Sequence, residues 1–226
     1  MRFSITADHK EFFKKNQYIE FEAILPLDQI ATFQKNAEEI IAKRLHIPKE
    51  KLSLKSAPEI YQAGYDLWRE SAPIKRITHK HSLAAIASEL FETIPLRYGY
   101  DQYFAMTQCT HSPYAMPVSL QDVSCLQPLV GALLLPLHDL TSIPALFPLP
   151  LKAGSGLFIS PNLPLPWPQL FSTPGLCFFL IAFAANKTLF RADSKDPHAV
   201  SLKKLGYVFN DRLNDSLHPI VRRKNH

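Results

Sequence analysis

The chain has 226 residues, 46% of them hydrophobic, which is enough to build one substantial core. Its formal net charge is +5, with 25 Lys and Arg against 20 Asp and Glu, spread along the chain apart from small clusters such as Lys203-Lys204 and Arg222-Arg223-Lys224. Neither cluster is interleaved with aromatics as a nucleic-acid stacking surface is, so a solvated basic tail is the favoured reading and nucleic-acid binding is not. Three widely spaced cysteines, Cys109, Cys125 and Cys177, with no Cys-x-x-Cys argue against a disulfide framework and fit reduced, buried thiols.

The N-terminus has no apolar core of signal-peptide length, and the longest smooth apolar run, Gly175 to Ala185, is too short for a bilayer-spanning helix. A soluble, cytoplasmic protein is expected. Glycine is scarce at 7 and proline plentiful at 19, the prolines falling mostly between residues 113 and 174. Chain reversals there are expected to be rigid proline turns in an apolar context, not disorder.

In chain order, Asp8-His9-Lys10-Glu11 has capping-box spacing and predicts a short helix to about Lys15, with Asp8 as the cap. Tyr18 to Leu25 alternates like a half-buried strand. Leu27-Asp28 opens a longer helix whose packing stripe is Ile30, Phe33, Ala37, Ile40, Ile41 and Leu45. Ser56 is a cap with Pro58 in the first turn, and the helix face it starts carries Ile60, Tyr61, Leu67 and Trp68. A further helix, capped at Ser82, runs to about Glu92 with Leu83, Ile86, Leu90 and Phe91 inward, so the first 92 residues are expected to be mainly helical.

After Pro95 the pattern turns to strands: Leu96 to Met106, Pro128 to Leu137, Gly156 to Ser160 and Leu176 to Ala184, separated by proline-bearing loops. A polar stretch from Asp193 to His218 follows, with Leu205 to Phe209 as a final strand or turn. Strands follow a helical block without βαβ alternation, which is an α+β or barrel-with-helices pattern. One domain over 1–226 is expected, 1–92 as a helical flank and 93–226 as the β core with its C-terminal segment.

Three segments carry a resemblance. Phe12 to Phe21 is an aromatic-rich helix end leading into a Tyr-led strand, with Gln17 where a glycine is usual. Leu96 to Phe104 ends in Asp101-Gln102 and an aromatic pair. Gly154 to Trp167 is a turn, an apolar strand and a proline-stiffened exit. In this order they resemble the phytanoyl-CoA dioxygenase-like branch of the iron(II)/2-oxoglutarate oxygenases. The resemblance implies a distorted double-stranded β-helix, or jelly roll, with flanking N-terminal helices; it carries fold more than function.

Such oxygenases hold iron by two histidines and one carboxylate. The resemblance places the first pair of ligands at Leu120 and Asp122, in Leu120-Gln121-Asp122-Val123, and the second histidine at Leu165. Shifting by one residue gives Pro164 or Pro166, and Ser172 to Phe178 offers no arginine to clamp 2-oxoglutarate. Only Asp122 retains a ligand side chain, so loss of the iron site is expected, with no resident cofactor and no oxygenase activity.

Leftover candidates for a non-standard site with Asp122 are His111 and His138-Asp139; iron(II) and 2-oxoglutarate enter only if such a site exists, making the protein a non-heme iron oxygenase. His9-Lys10-Glu11 reads as helix capping and His79-Lys80-His81 as solvated or capping. Cys109 with His111 shows no third orienting group for a nucleophile. No Gly-rich phosphate loop, nucleophile elbow or metalloprotease helix occurs. The expected role is binding, of a small apolar or amphipathic ligand in the barrel or of a partner protein. The alternatives are the non-standard oxygenase and a metal-responsive nucleic-acid-binding regulator.

Overall fold

A computed structural model describes residues 4–106, 112, 114–140, 148–150, 152–191 and 196–224. Its centre is a curled antiparallel sheet of six strands: β1 (Tyr18–Phe21), β2 (Leu96–Ala105), β4 (Leu126–Pro136), β5 (Gly156–Ile159), β7 (Cys177–Phe190) and β8 (Ile220–Arg222), in the order β1-β5-β4-β7-β2-β8. A second small sheet pairs β3 (Val118–Ser119) with β6 (Pro164–Leu165). The architecture is a distorted jelly roll with helices packed against it, as the resemblance implied.

Side-chain alternation explains why the strands read as continuous apolar runs. In β7, Cys177, Phe179, Ile181 and Phe183 enter the outer core beneath the helices, while Phe178, Leu180, Ala182 and Ala184 enter the inner core. In β4, Leu133 and Leu135 go outward while Ala132 and Leu134 go inward. A strand buried on both faces has no polar side to show.

β2 changes parity. Its register against β7 shifts between Tyr98 and Tyr100, so Leu96 and Tyr98 face the outer core, whereas Tyr100 and Phe104, beyond the shift, face the inner one. Gly99 sits at the bulge, where an added Cβ would lie 2.9 Å from the Ala182 carbonyl oxygen. Only glycine allows β7 this close.

The helices on the outer face are α1 (Ala7–Asn16), α2 (Leu27–Arg44), α3 (Ala57–Ala63), α4 (Ala72–Thr78) and α5 (His81–Leu90). The α2 stripe is buried as expected from Ile30 to Ile41, while Leu45 is the half-buried C-cap, and Phe33 meets Phe179 of the sheet with ring centroids 4.1 Å apart. Ser56 and Glu59 form a full capping box on α3.

Several local expectations are corrected. Thr6, not Asp8, caps α1, and His9 is its reciprocal partner; threonine placed before three helical residues outcompetes the Asp8-Glu11 pair. β1 stops at Phe21 because Ala23 turns with φ 51. Leu67 and Trp68 lie on a separate 3-10 turn, since left-handed Asp66 ends the helical path. α4 was not foreseen, and α5 begins at His81 after Lys80 rather than at a Ser82 cap.

After the sheet, α6 (Leu120–Val123), α7 (Trp167–Ser172) and α8 (Pro197–Lys204) complete the described helices. Among the described residues no helix is long and apolar enough to cross a membrane.

Candidate functional site

The β3-β6 ladder pairs Val118 with Leu165 and Ser119 with Pro164, so the segments carrying Leu120 and Leu165 lie side by side. Both leucines are packed into the inner core, 3% and 1% exposed. Asp122 has a different employment from the one its position suggested. Its carboxylate accepts from the Ser119 hydroxyl at 2.6 Å and from the Ser119 amide at 3.2 Å, while Ser119 Oγ accepts from the Asp122 amide, a capping box on α6. The Trp167 indole N–H donates to the Val118 carbonyl and ties the proline-stiffened exit of β6 back to β3.

The barrel interior is filled. Phe104 stacks on Phe178 at 4.4 Å between centroids and on Trp167 at 5.6 Å. The residual void, bordered by Tyr61, Gln102, Leu120, Trp167, Leu180 and His198, measures about 10 Å³, near the lower limit for one water. Among the described residues this void has no room for an amphipathic ligand.

One ion pair lies at this void, in the stretch the sequence presented as a polar excursion. Asp196 caps α8 and accepts from the His198 amide, the Cys125 amide and the His198 Nδ1–H. His198 is 1% exposed, and its Nε2 donates to the Asp101 carbonyl at 3.2 Å. The rings of Tyr100 and Tyr65 flank it at 4.2 and 5.4 Å. Burial opposes the charged imidazole, but the Asp196 carboxylate beside it overrides this and lifts its pKa to about 9. Both ring nitrogens therefore carry protons at neutral pH. The available signal was Asp196-Pro197, a cap with proline at the first helical position, followed by Ala199 and Leu202 on one face.

The Asp101-Gln102 pair, part of the sequence resemblance, is a structural clamp. Asp101 accepts from the Leu67 and Trp68 amides and the Tyr98 hydroxyl at 2.7, 3.1 and 2.9 Å, and the Gln102 amide nitrogen donates to the Tyr61 carbonyl at 2.7 Å. Together they hold α3 and the following 3-10 turn against β2. Burial, reinforced by the nearby Asp66 carboxylate, raises the Asp101 pKa to about 7 against the pull of its three donors.

The other sequence candidates do not converge. His138 Nε2 donates to the Gly175 carbonyl at 2.6 Å, and Asp139 accepts from the Ala153 amide. His79 is stacked on Tyr98 at 4.4 Å, and burial lowers its pKa to about 4; it is packed, not solvated. His81 accepts from Arg222 at 2.6 Å. Cys125 and Cys177 are buried free thiols. His111 and Cys109 lie outside the described residues. Among the described residues no three His, Cys, Asp or Glu side chains are placed to hold one metal ion.

The helix-flanked, curled antiparallel sheet with its short β3-β6 ladder is the oxygenase type of jelly roll. No family model and no curated protein matches the sequence; the likeness is to solved structures. One is the non-heme α-ketoglutarate-dependent carbocyclase SnoK from nogalamycin biosynthesis: TM-score 0.67, 13% identity, 95% of this chain and 96% of that one covered. EctD from S. alaskensis with bound Fe gives 0.61, 14% identity and coverage of 83% and 79%. CT296 from Chlamydia trachomatis gives 0.50, 16% identity and coverage of 82% and 99%. At such identities the likeness concerns the fold.

Proposed function

We propose that this protein is a non-catalytic relative of the iron(II)/2-oxoglutarate oxygenases, of the phytanoyl-CoA dioxygenase-like branch, in which a single-domain barrel serves as scaffold and the function is binding of a small ligand or partner protein. The observation that supports the reading is that the β3-β6 ladder brings the segments carrying Leu120 and Leu165 side by side, the two positions that the sequence resemblance gives to the histidine ligands. Neither side chain has a lone pair to give a metal. Asp122, the third position named by the resemblance, is engaged in its own helix cap. Among the described residues no three His, Cys, Asp or Glu side chains come together as an iron site would need. Assignment to the phytanoyl-CoA branch rests on the three sequence segments, Phe12 to Phe21, Leu96 to Phe104 and Gly154 to Trp167.

The test is anaerobic titration of the full chain with iron(II), followed by oxygen-uptake measurements with 2-oxoglutarate. No saturable iron binding in the micromolar range and no 2-oxoglutarate-dependent uptake are expected. Either signal overturns the reading in favour of a non-standard site.

A further inference from the structure

Among the described residues, one apolar-lined cavity lies outside the barrel. A pocket of about 410 Å³ opens between α2, the 3-10 turn Lys49–Leu54 and the ends of β2 and β7, within the range of roughly 300–1,000 Å³ usual for small-molecule sites. Ile41, Leu52, Ile60, Met106 and Leu176 supply an apolar lining. Set into it are the Tyr103 hydroxyl and the Cys177 thiol, on residues 3% and 5% exposed and 3.3 Å from each other.

These two groups make one hydrogen bond between them, so whichever donates, one polar hydrogen has no acceptor among the described residues. The rim differs. Lys49 is held by Glu38 at 2.9 Å, and Glu38 also accepts from Gln34, with Glu50 a second carboxylate. Lys49 is the one lysine or arginine among the described lining residues, and it is already paired.

We propose that this pocket binds a neutral amphipathic small molecule, an apolar body bearing one carbonyl acceptor that takes the hydrogen left over at the Tyr103–Cys177 pair. An anion is disfavoured because it would sit beside the Glu38 and Glu50 carboxylates with no unpaired lysine or arginine to meet it; His138, also on the lining, is held by its Nε2 bond to the Gly175 carbonyl. Burial pushes the Cys177 thiol up to about 12 against the Tyr103 hydrogen bond, with Glu38 adding to it, so the sulfur stays protonated and recognition is non-covalent. The inference goes beyond the scaffold reading and stands whether or not the barrel has activity.

The experiment titrates the full chain with the neutral fluorophore N-phenyl-1-naphthylamine and displaces it with 2-decanone or with decanoate. Saturable binding is expected, with 2-decanone displacing the probe at least about tenfold more tightly than decanoate, the cost of burying an unpaired charge. Ser53→Trp, at an exposed rim position, closes the mouth and abolishes probe binding while the melting temperature is unchanged. Tyr103→Phe leaves only the weaker S–H of Cys177 to meet the carbonyl and weakens 2-decanone by roughly threefold to tenfold, up to the worth of one neutral hydrogen bond. Absence of saturable binding, displacement by decanoate as tight as by 2-decanone, or binding undiminished in Ser53→Trp overturns the proposal.

Discussion

His198 and Asp196 show how one buried pair ties stability to pH. The imidazole is raised from its ordinary 6.5 to about 9 in the fold, so the native state holds a proton that the unfolded chain releases earlier. The stabilisation is complete below about pH 6.5 and is lost as pH rises through about 9. Asp196 is held below its ordinary value, against the cost of burial, by the same imidazolium; its share is lost only in acid. Urea midpoints of the wild type are therefore expected to fall between pH 6.5 and 9, and His198→Gln should flatten that fall. Asp196→Asn leaves a buried imidazole without its anion and should cost about 3–5 kcal/mol in urea unfolding, with the His198 titration seen by NMR moving below 6.5. Leu120 and Leu165 stood out in the sequence because a motif frame surrounds them, and the fold brings their segments side by side. The ion pair was not, because in a sequence a charged residue within a polar stretch carries no mark of its burial.

Elements were legible where one interaction dominates and obscure where two compete. The α2 stripe and the four main strands follow from periodicity, and Ser56 from its cap. The end of α1 was marked by Gln17 in place of a usual glycine, and the chain turns there with φ 67. Gln17→Gly relieves that left-handed strain and should raise stability by about 0.5–1 kcal/mol in chemical denaturation, after loss of the side-chain bond to the Lys14 carbonyl. Gly99 is the opposite case, invisible in the sequence because a bulge depends on what its neighbour strand presents. Gly99→Ala forces a methyl towards the Ala182 carbonyl and is expected to cost about 1–3 kcal/mol, read as a lowered urea midpoint with an unchanged slope.

Across the whole molecule, a buried cation on β2 fastens much of the C-terminal segment, alongside Arg69, which donates to the Leu217 carbonyl at 2.8 Å. The Arg97 guanidinium, on β2, donates to the Asn186 side chain at 2.7 and 3.0 Å, to Asp215 at 2.6 Å and to the His218 carbonyl at 2.9 Å. The His218 Nδ1–H in turn donates to the Gly99 carbonyl, and β8 pairs with β2 beyond it. Arg97→Lys preserves the charge but not the fork of donors. It should expose the segment from Asn214 onward to limited proteolysis while the circular dichroism of the sheet persists.

The strand order carries a consequence for how the chain assembles. β7 sits between β4 and β2, although those two precede it by about forty and seventy residues at their nearest ends. Until β7 leaves the ribosome, β1, β5 and β4 can form only a partial sheet with an apolar open edge, and β2 has neither of its partners. The helical flank can form early from local contacts, but the sheet must wait for nearly the whole chain. Such an order predicts slow, late folding and a nascent state in need of shielding from its own kind.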